Sequence, residues 1–126
     1  MDYGEMISEI REWVAAKSGQ SITIGIPGPE EAVTISSNAA GVLNTYFDRR
    51  ELRDMTLTVY VKRASQMEAA ALCDGLGRLM TRAAEYPSGD GWRVKTMQSG
   101  GAIPVGQDES TKLWLYVNNV EITYYS

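Results

Sequence analysis

The chain has 126 residues, 44% of them hydrophobic and 22% charged, a length and balance that suit one globular domain and argue against disorder. Its formal net charge of −4 gives no general attraction to phosphate backbones, and no apolar run approaches the roughly 20 residues that span a bilayer, so no membrane partner is expected. The absence of histidine removes Ser–His–Asp and Cys–His sites, imidazole bases and the commonest metal ligand together.

The start, Met1-Asp2-Tyr3-Gly4-Glu5, is acidic, unlike a secretory signal, so folding in a cytoplasm is expected. Residues 4–18 read as an amphipathic helix: Met6, Ile7, Ile10, Trp13 and Val14 share one stripe, Glu5, Glu9 and Glu12 lie outside it, and Gly19 is a left-handed stop. A strand over 21–26 is broken by Pro27-Gly28-Pro29, which cannot continue a ladder. A short strand follows at 32–36, then a turn at 38–41 and a third strand at 42–50. Residues 55–62 alternate most clearly, with Leu57, Val59 and Val61 on one face and Thr56, Thr58, Tyr60 and Lys62 on the other.

A second helix is expected over 65–84, because Ser65 and Glu68 have capping-box spacing and Leu72, Cys73, Leu76, Leu79, Met80 and Ala83 form a stripe. Gly75 and Gly77 lie inside it, each costing about 1 kcal/mol against alanine unless a strand approaches closely. Tyr86-Pro87-Ser88-Gly89 ends the helix. A strand over 92–98 leads to a flexible loop over 99–111, and 113–125 is β-rich. In that last segment Leu113, Leu115 and Val117 alternate in one register and Val120, Ile122 and Tyr124 in the other, which predicts a bulge at Asn118-Asn119. The order gives an α+β fold, a mostly antiparallel sheet with two main helices packed on one face, over a single domain spanning 1–126.

Candidate chemistry is sparse. Cys73, the single cysteine, cannot form an internal disulfide and falls in the apolar helical pattern, as a small core residue does. There is no phosphate-cradling loop and no nucleophile elbow, and Gly75-x-Gly77 lacks a third glycine. No cofactor or metal is expected. The carboxylate pairs Glu30-Glu31 and Asp108-Glu109 lie in loops, where adjacent side chains point apart and stay solvated rather than tuned for acid–base work. The cluster Arg49, Arg50 and Arg53 is interrupted by Glu51 and flanked by Asp48 and Asp54, so a solvated turn is expected there. Trp114, Tyr116, Tyr124 and Tyr125 lack the accompanying cations of a base-stacking surface and suit sheet packing or a protein interface. Charge is uneven: residues 1–48 hold seven acids against two bases, and 49–95 nine bases against six acids.

Several segments together resemble a family. They are Ile26-Pro27-Gly28-Pro29-Glu30-Glu31-Ala32-Val33, Met55-Thr56-Leu57-Thr58-Val59-Tyr60-Val61-Lys62, the capped helix with Ala69-Ala70-Ala71-Leu72-Cys73-Asp74-Gly75-Leu76, and Pro104-Val105-Gly106-Gln107-Asp108-Glu109 before Val117-Asn118-Asn119-Val120. Their order is similar to that of the minor capsid or tail terminator (head–tail joining) proteins of long-tailed phages infecting Gram-positive bacteria. The resemblance runs along nearly the whole chain and rests on layout and soft motifs. It implies a non-enzymatic virion protein, assembled in the host cytoplasm and located at the head–tail junction. It further implies a homo-oligomeric ring, a hexamer, that caps the tail tube, touching the major tail tube protein and head-completion or connector proteins. DNA would pass through a neutral or acidic lumen without specific binding.

Ring closure needs one patch to dock on a different patch of the next copy. Candidate interface residues are Pro27, Gly28, Pro29, Glu30 and Glu31 in one loop, Arg49, Arg50 and Arg53 in the basic cluster, and Pro104, Asp108, Glu109 and Trp114 toward the C-terminus. Two other functions fit the residues. One is a small ligand- or peptide-binding module using the open sheet face around Thr56, Thr58 and Tyr60; the other is an enzyme working with carboxylates alone.

Overall fold

The computed structural model describes residues 3–45 and 51–126. Helix α1 spans Tyr3–Ser18 and buries Met6, Ile7, Ile10 and Val14, the predicted stripe. It stops where Gly19 takes φ 73° and donates its N–H to the Ala15 carbonyl, the left-handed geometry that glycine adopts without penalty. Five strands and a second helix follow in the order β1 (Ile22–Ile24), β2 (Ala32–Thr45), β3 (Glu51–Arg63), α2 (Gln66–Thr81), β4 (Ser88–Gly89) and β5 (Trp92–Gln107), before the last strand, β6 (Trp114–Tyr125). They form one sheet in the order β1-β2-β3-β6-β5-β4, antiparallel throughout except for the β1–β2 pair. The α+β reading, with both helices on one face of a mostly antiparallel sheet, holds.

The core lies between that face and the helices. Strand β3 supplies Met55, Leu57, Val59 and Val61, and β6 supplies Tyr116, Val120, Ile122 and Tyr124, all opposite the α1 stripe and Ala69, Cys73, Leu76 and Met80 of α2. Helix α2 begins as its capping spacing predicts, with the Ser65 hydroxyl accepting the Glu68 N–H at 3.3 Å. It ends at Thr81, before Ala83, and the Tyr86 hydroxyl donates to the terminal Met80 and Thr81 carbonyls at 2.8 and 3.2 Å. Tyr86 also packs on Trp13 in a tilted arrangement, with ring centroids 5.8 Å apart and planes at 47°, tying the two helices together.

Three expectations fail, each for the same reason: a long partner strand templates pairing across residues that locally favour turns. The turn expected at 38–41 is absent. Strand β2 runs straight through it, and the irregularity is absorbed as register shifts between Ala39 and Val42 and between Val42 and Asn44. Residues 42–45 of the expected third strand belong to β2, and 46–50 lie outside the described residues. The flexible loop expected at 99–111 is strand as far as Gln107; two bulges, at Ser99–Ala102 and Pro104–Gly106, take up its glycines, and Pro104 sits beyond the reach of β4 where β5 has no outer ladder to break. The turn expected around Arg53 is also strand, since β3 starts at Glu51 and that residue exchanges both backbone hydrogen bonds with Ser126.

The irregularity expected at Asn118-Asn119 is carried by β5, where Ser99 pairs with Val120 and Ala102 with Asn118, and not by β6. Pairing with β3 runs without interruption from Arg63–Trp114 to Leu52–Tyr125, and Asn118 points into the core, fully buried. Its amide donates to the Cys73 carbonyl at 3.2 Å, and its side-chain oxygen accepts from the Ser99 hydroxyl at 2.8 Å. A Cβ on Gly77 would collide with the Asn118 amide and the Ser99 hydroxyl, so this glycine is where α2 meets the sheet most closely. At Gly75 nothing lies within reach of a Cβ. Urea denaturation should therefore separate the pair: Gly75→Ala gains up to about 1 kcal/mol of helix propensity, while Gly77→Ala loses about 1–3 kcal/mol to overpacking. Equal effects at the two positions would contradict the close approach.

Candidate functional site

Among the described residues, no helix covers the second face of the sheet. Thr56, Thr58 and Tyr60 of β3 look out on that face, as the sequence predicts. Their cross-strand neighbours are Asn38, Ser36 and Thr34 on β2 and Glu121, Asn119 and Val117 on β6, with Gln98 of β5 beyond Glu121. The middle of this face is a trough of about 610 Å³ lined by Asn38, Thr56, Thr58, Gln98, Asn119 and Glu121, together with Ser99 and Gly100. Thr58 donates its hydroxyl to the Asn119 side-chain oxygen at 2.9 Å across the strands. Among the described residues lining the trough, Glu121 is the one carboxylate and there is no lysine or arginine. Its surface offers many neutral donors and acceptors and a single negative charge.

Most of the sequence-predicted interface residues lie toward one end of the sheet, with Trp114 on the helix side against the core. Lys62, mostly buried despite its charge, donates its ammonium to the Gly28 carbonyl at 2.8 Å and so pins the Pro27-Gly28-Pro29 segment. Glu31 accepts the Ala64 N–H at 3.2 Å, while Glu30 is exposed. Lys62 and Asp108 line one cleft of about 260 Å³ with Val105, Gly106, Gln107 and Leu115. Trp114, half-buried, pairs with Arg63 and Gln107 at this end, and Pro104 stands opposite Tyr116. The loop at 27–31 and the turn after β5, far apart in sequence, thus meet through Lys62. The basic residues do not join them. Arg53 lies toward the other end, opposite Tyr124 and in an ion pair with Glu51 at 2.8 Å, and Arg49 and Arg50 lie outside the described residues.

Asp108 organises the turn. Its carboxylate accepts hydrogen bonds from the Ser110 hydroxyl and N–H, both at 2.8 Å, and from the Thr111 N–H at 3.1 Å. The Ser110 side chain first, then the two backbone donors, with Lys62 adding attraction, lower its pKa from 3.8 to about 2. Because the folded value is depressed, the stabilisation is present above about pH 3.8 and is lost as the pH falls toward about 2. Acid titration followed by circular dichroism should show Asp108→Asn trailing the wild type in this window and converging with it below. Two curves that never differ would contradict the assignment.

Cys73 is fully buried, and burial, with Asp74 adding repulsion, pushes its thiol up to about 12. Almost no thiolate exists near neutral pH, consistent with the small core residue the sequence suggests. Sequence reasoning missed Asn38, Gln98, Asn119 and Glu121. The signal for Asn119 and Glu121 was present in the alternation of β6, but the inferred bulge at Asn118-Asn119 broke it.

No protein-family model matches the sequence, and no curated protein matches it. Among solved structures, the fold is similar to a chain in a structure described as the virion of a native gene transfer agent (GTA) particle, with a TM-score of 0.60 and 14% sequence identity. The match covers 90% of this chain and 84% of that one. At that identity the likeness establishes a shared α+β fold.

Proposed function

We propose that this chain is a non-enzymatic structural subunit of a phage-like virion, a tail terminator whose copies close into a ring, six to a turn, between the tail tube and the head. The observation that carries the reading is the match of nearly the whole chain to the fold of a virion component. The order of the sequence segments, which resembles that of tail terminator proteins, supports the finer reading independently. In this reading the helices face outward and the trough faces the lumen, where DNA slides past a wall of neutral polar groups and one carboxylate per copy. Cations there would hold phosphates and retard ejection. The end that gathers Gly28, Glu31, Asp108 and Trp114 presents a rim to the tail tube or the connector.

The test is cryo-electron microscopy of particles made with and without the gene. The expected result is ring density at the head-proximal end of the tail in the first and unjoined heads and tails in the second. Particles that mature and infect normally without the chain would overturn the proposal.

A further inference from the structure

Among the described residues, five large hydrophobic side chains are exposed, and four of them sort to the two opposite margins of the sheet. Ile24, 50% exposed, and Ile26, 89% exposed, mark the β1 margin; Ile103 and Val105, 47% and 58% exposed, mark the β5 margin. The fifth, Met67, is in the first turn of α2.

Both margins are poor sites for adding a strand. Strand β1 is three residues long, and Arg11 donates to its Ile22 carbonyl at 3.3 Å. Strand β5 is kinked by register shifts near Thr96, Gly100 and Val105 and carries Pro104, the devices by which natural sheets block indiscriminate edge pairing. Each margin therefore refuses backbone pairing while displaying a pair of bare aliphatic side chains, a combination that suits a side-chain contact with one defined surface.

The two patches also look in opposite directions. Ile24 pairs in parallel register with Ile35, a core residue, so it stands on the helix side of the sheet. Ile103 pairs with Val117 and stands on the open side. Lying at opposite margins of one sheet, the patches cannot cover each other within one copy. They can do so between copies if the open-side margin at β5 in one subunit slides beneath the helix-side margin at β1 in the next, as shingles overlap. We infer that a second copy of this chain is the occupant of both patches, and that Ile24 and Ile26 of one subunit pack on Ile103 and Val105 of its neighbour. Such a contact is heterologous: it leaves a fresh patch at each end and closes only as a ring. The inference rests on the proposed ring and names the surfaces that would build it.

Two variants that each add one cysteine, Ile24→Cys and Ile103→Cys, test it, with buried Cys73 left in place as a slow-reacting background. Under mild oxidation each variant alone should stay uncrosslinked, their mixture should give a disulfide dimer, and the double variant should give a ladder ending in a closed species. In parallel, Ile103→Glu should weaken assembly at least about tenfold by analytical ultracentrifugation with an unchanged circular dichroism spectrum. Homodimers from either single variant would show a two-fold contact and overturn the inference. So would rings, visible by electron microscopy, that form without the mixed crosslink and survive Ile103→Glu; the ring reading would then stand with different edges. A wild-type chain that stays monomeric at every concentration and is missing from particles would remove both.

Discussion

Replacing Asn118 by alanine is expected to cost about 2–4 kcal/mol of folding stability, read as a lowered urea midpoint at unchanged slope. The residue is fully buried between β5 and α2, and its amide is satisfied at both ends, by the Cys73 carbonyl and the Ser99 hydroxyl. Truncation removes both bonds and leaves a void beside Gly77, which has no side chain with which to fill it. Asn118→Leu fills the void without restoring the bonds and should recover only part of the loss. Ser99 also accepts the Gly101 N–H at 3.0 Å, so Ser99→Ala should cost stability through the bulge as well as through Asn118. A double-mutant cycle between positions 99 and 118 should show coupling above about 0.5 kcal/mol. A loss below that figure for Asn118→Ala would mean the network is incidental.

If the open face lines the lumen as proposed, lysine at Asn38 and Asn119 together should convert it into a face that holds DNA. Both side chains are exposed, so the substitutions bury no charge, and the bond given up by Asn119, from Thr58, lies at the surface. The trough's charge would change from one carboxylate to a net positive value in every copy. Gel-shift affinity for duplex DNA should rise by more than about tenfold at low salt, falling steeply as salt is added. DNA ejection from particles carrying the variant should slow by a comparable factor, while Asn38→Gln with Asn119→Gln should leave both unchanged. If the lysine variant assembles normally and neither binds DNA more tightly nor slows its exit, the trough does not face the lumen.

Much of the architecture was written in periodicity. The stripes of α1 and α2, the cap at Ser65, the inward face of β3 and the break at Pro27-Gly28-Pro29 follow from spacing and from residues whose local chemistry has one outcome. What periodicity hid lay where a partner strand overrules local preference. Glycines and Pro104 in β5 favour a loop in isolation, yet β6 supplies a ladder along their length, and bulges absorb the mismatch at modest cost. Asn118 misled for a different reason: an amide in a strand reads as a break unless its buried partners are known, and these lie 45 and 19 residues away. Of the candidate interface residues, the meeting of 27–31 with 108–109 depended on Lys62, whose role as a pin to Gly28 leaves no trace in local sequence.

The sheet order has one further consequence. Strand β6, last in the chain, lies between β3 and β5, so the two halves of the sheet share no direct ladder without it. The β2–β3 and β4–β5 pairs can form by themselves, but both margins are fixed relative to each other only when β6 inserts between them. The relative placement of the two margins therefore depends on β6 pairing correctly along both of its edges.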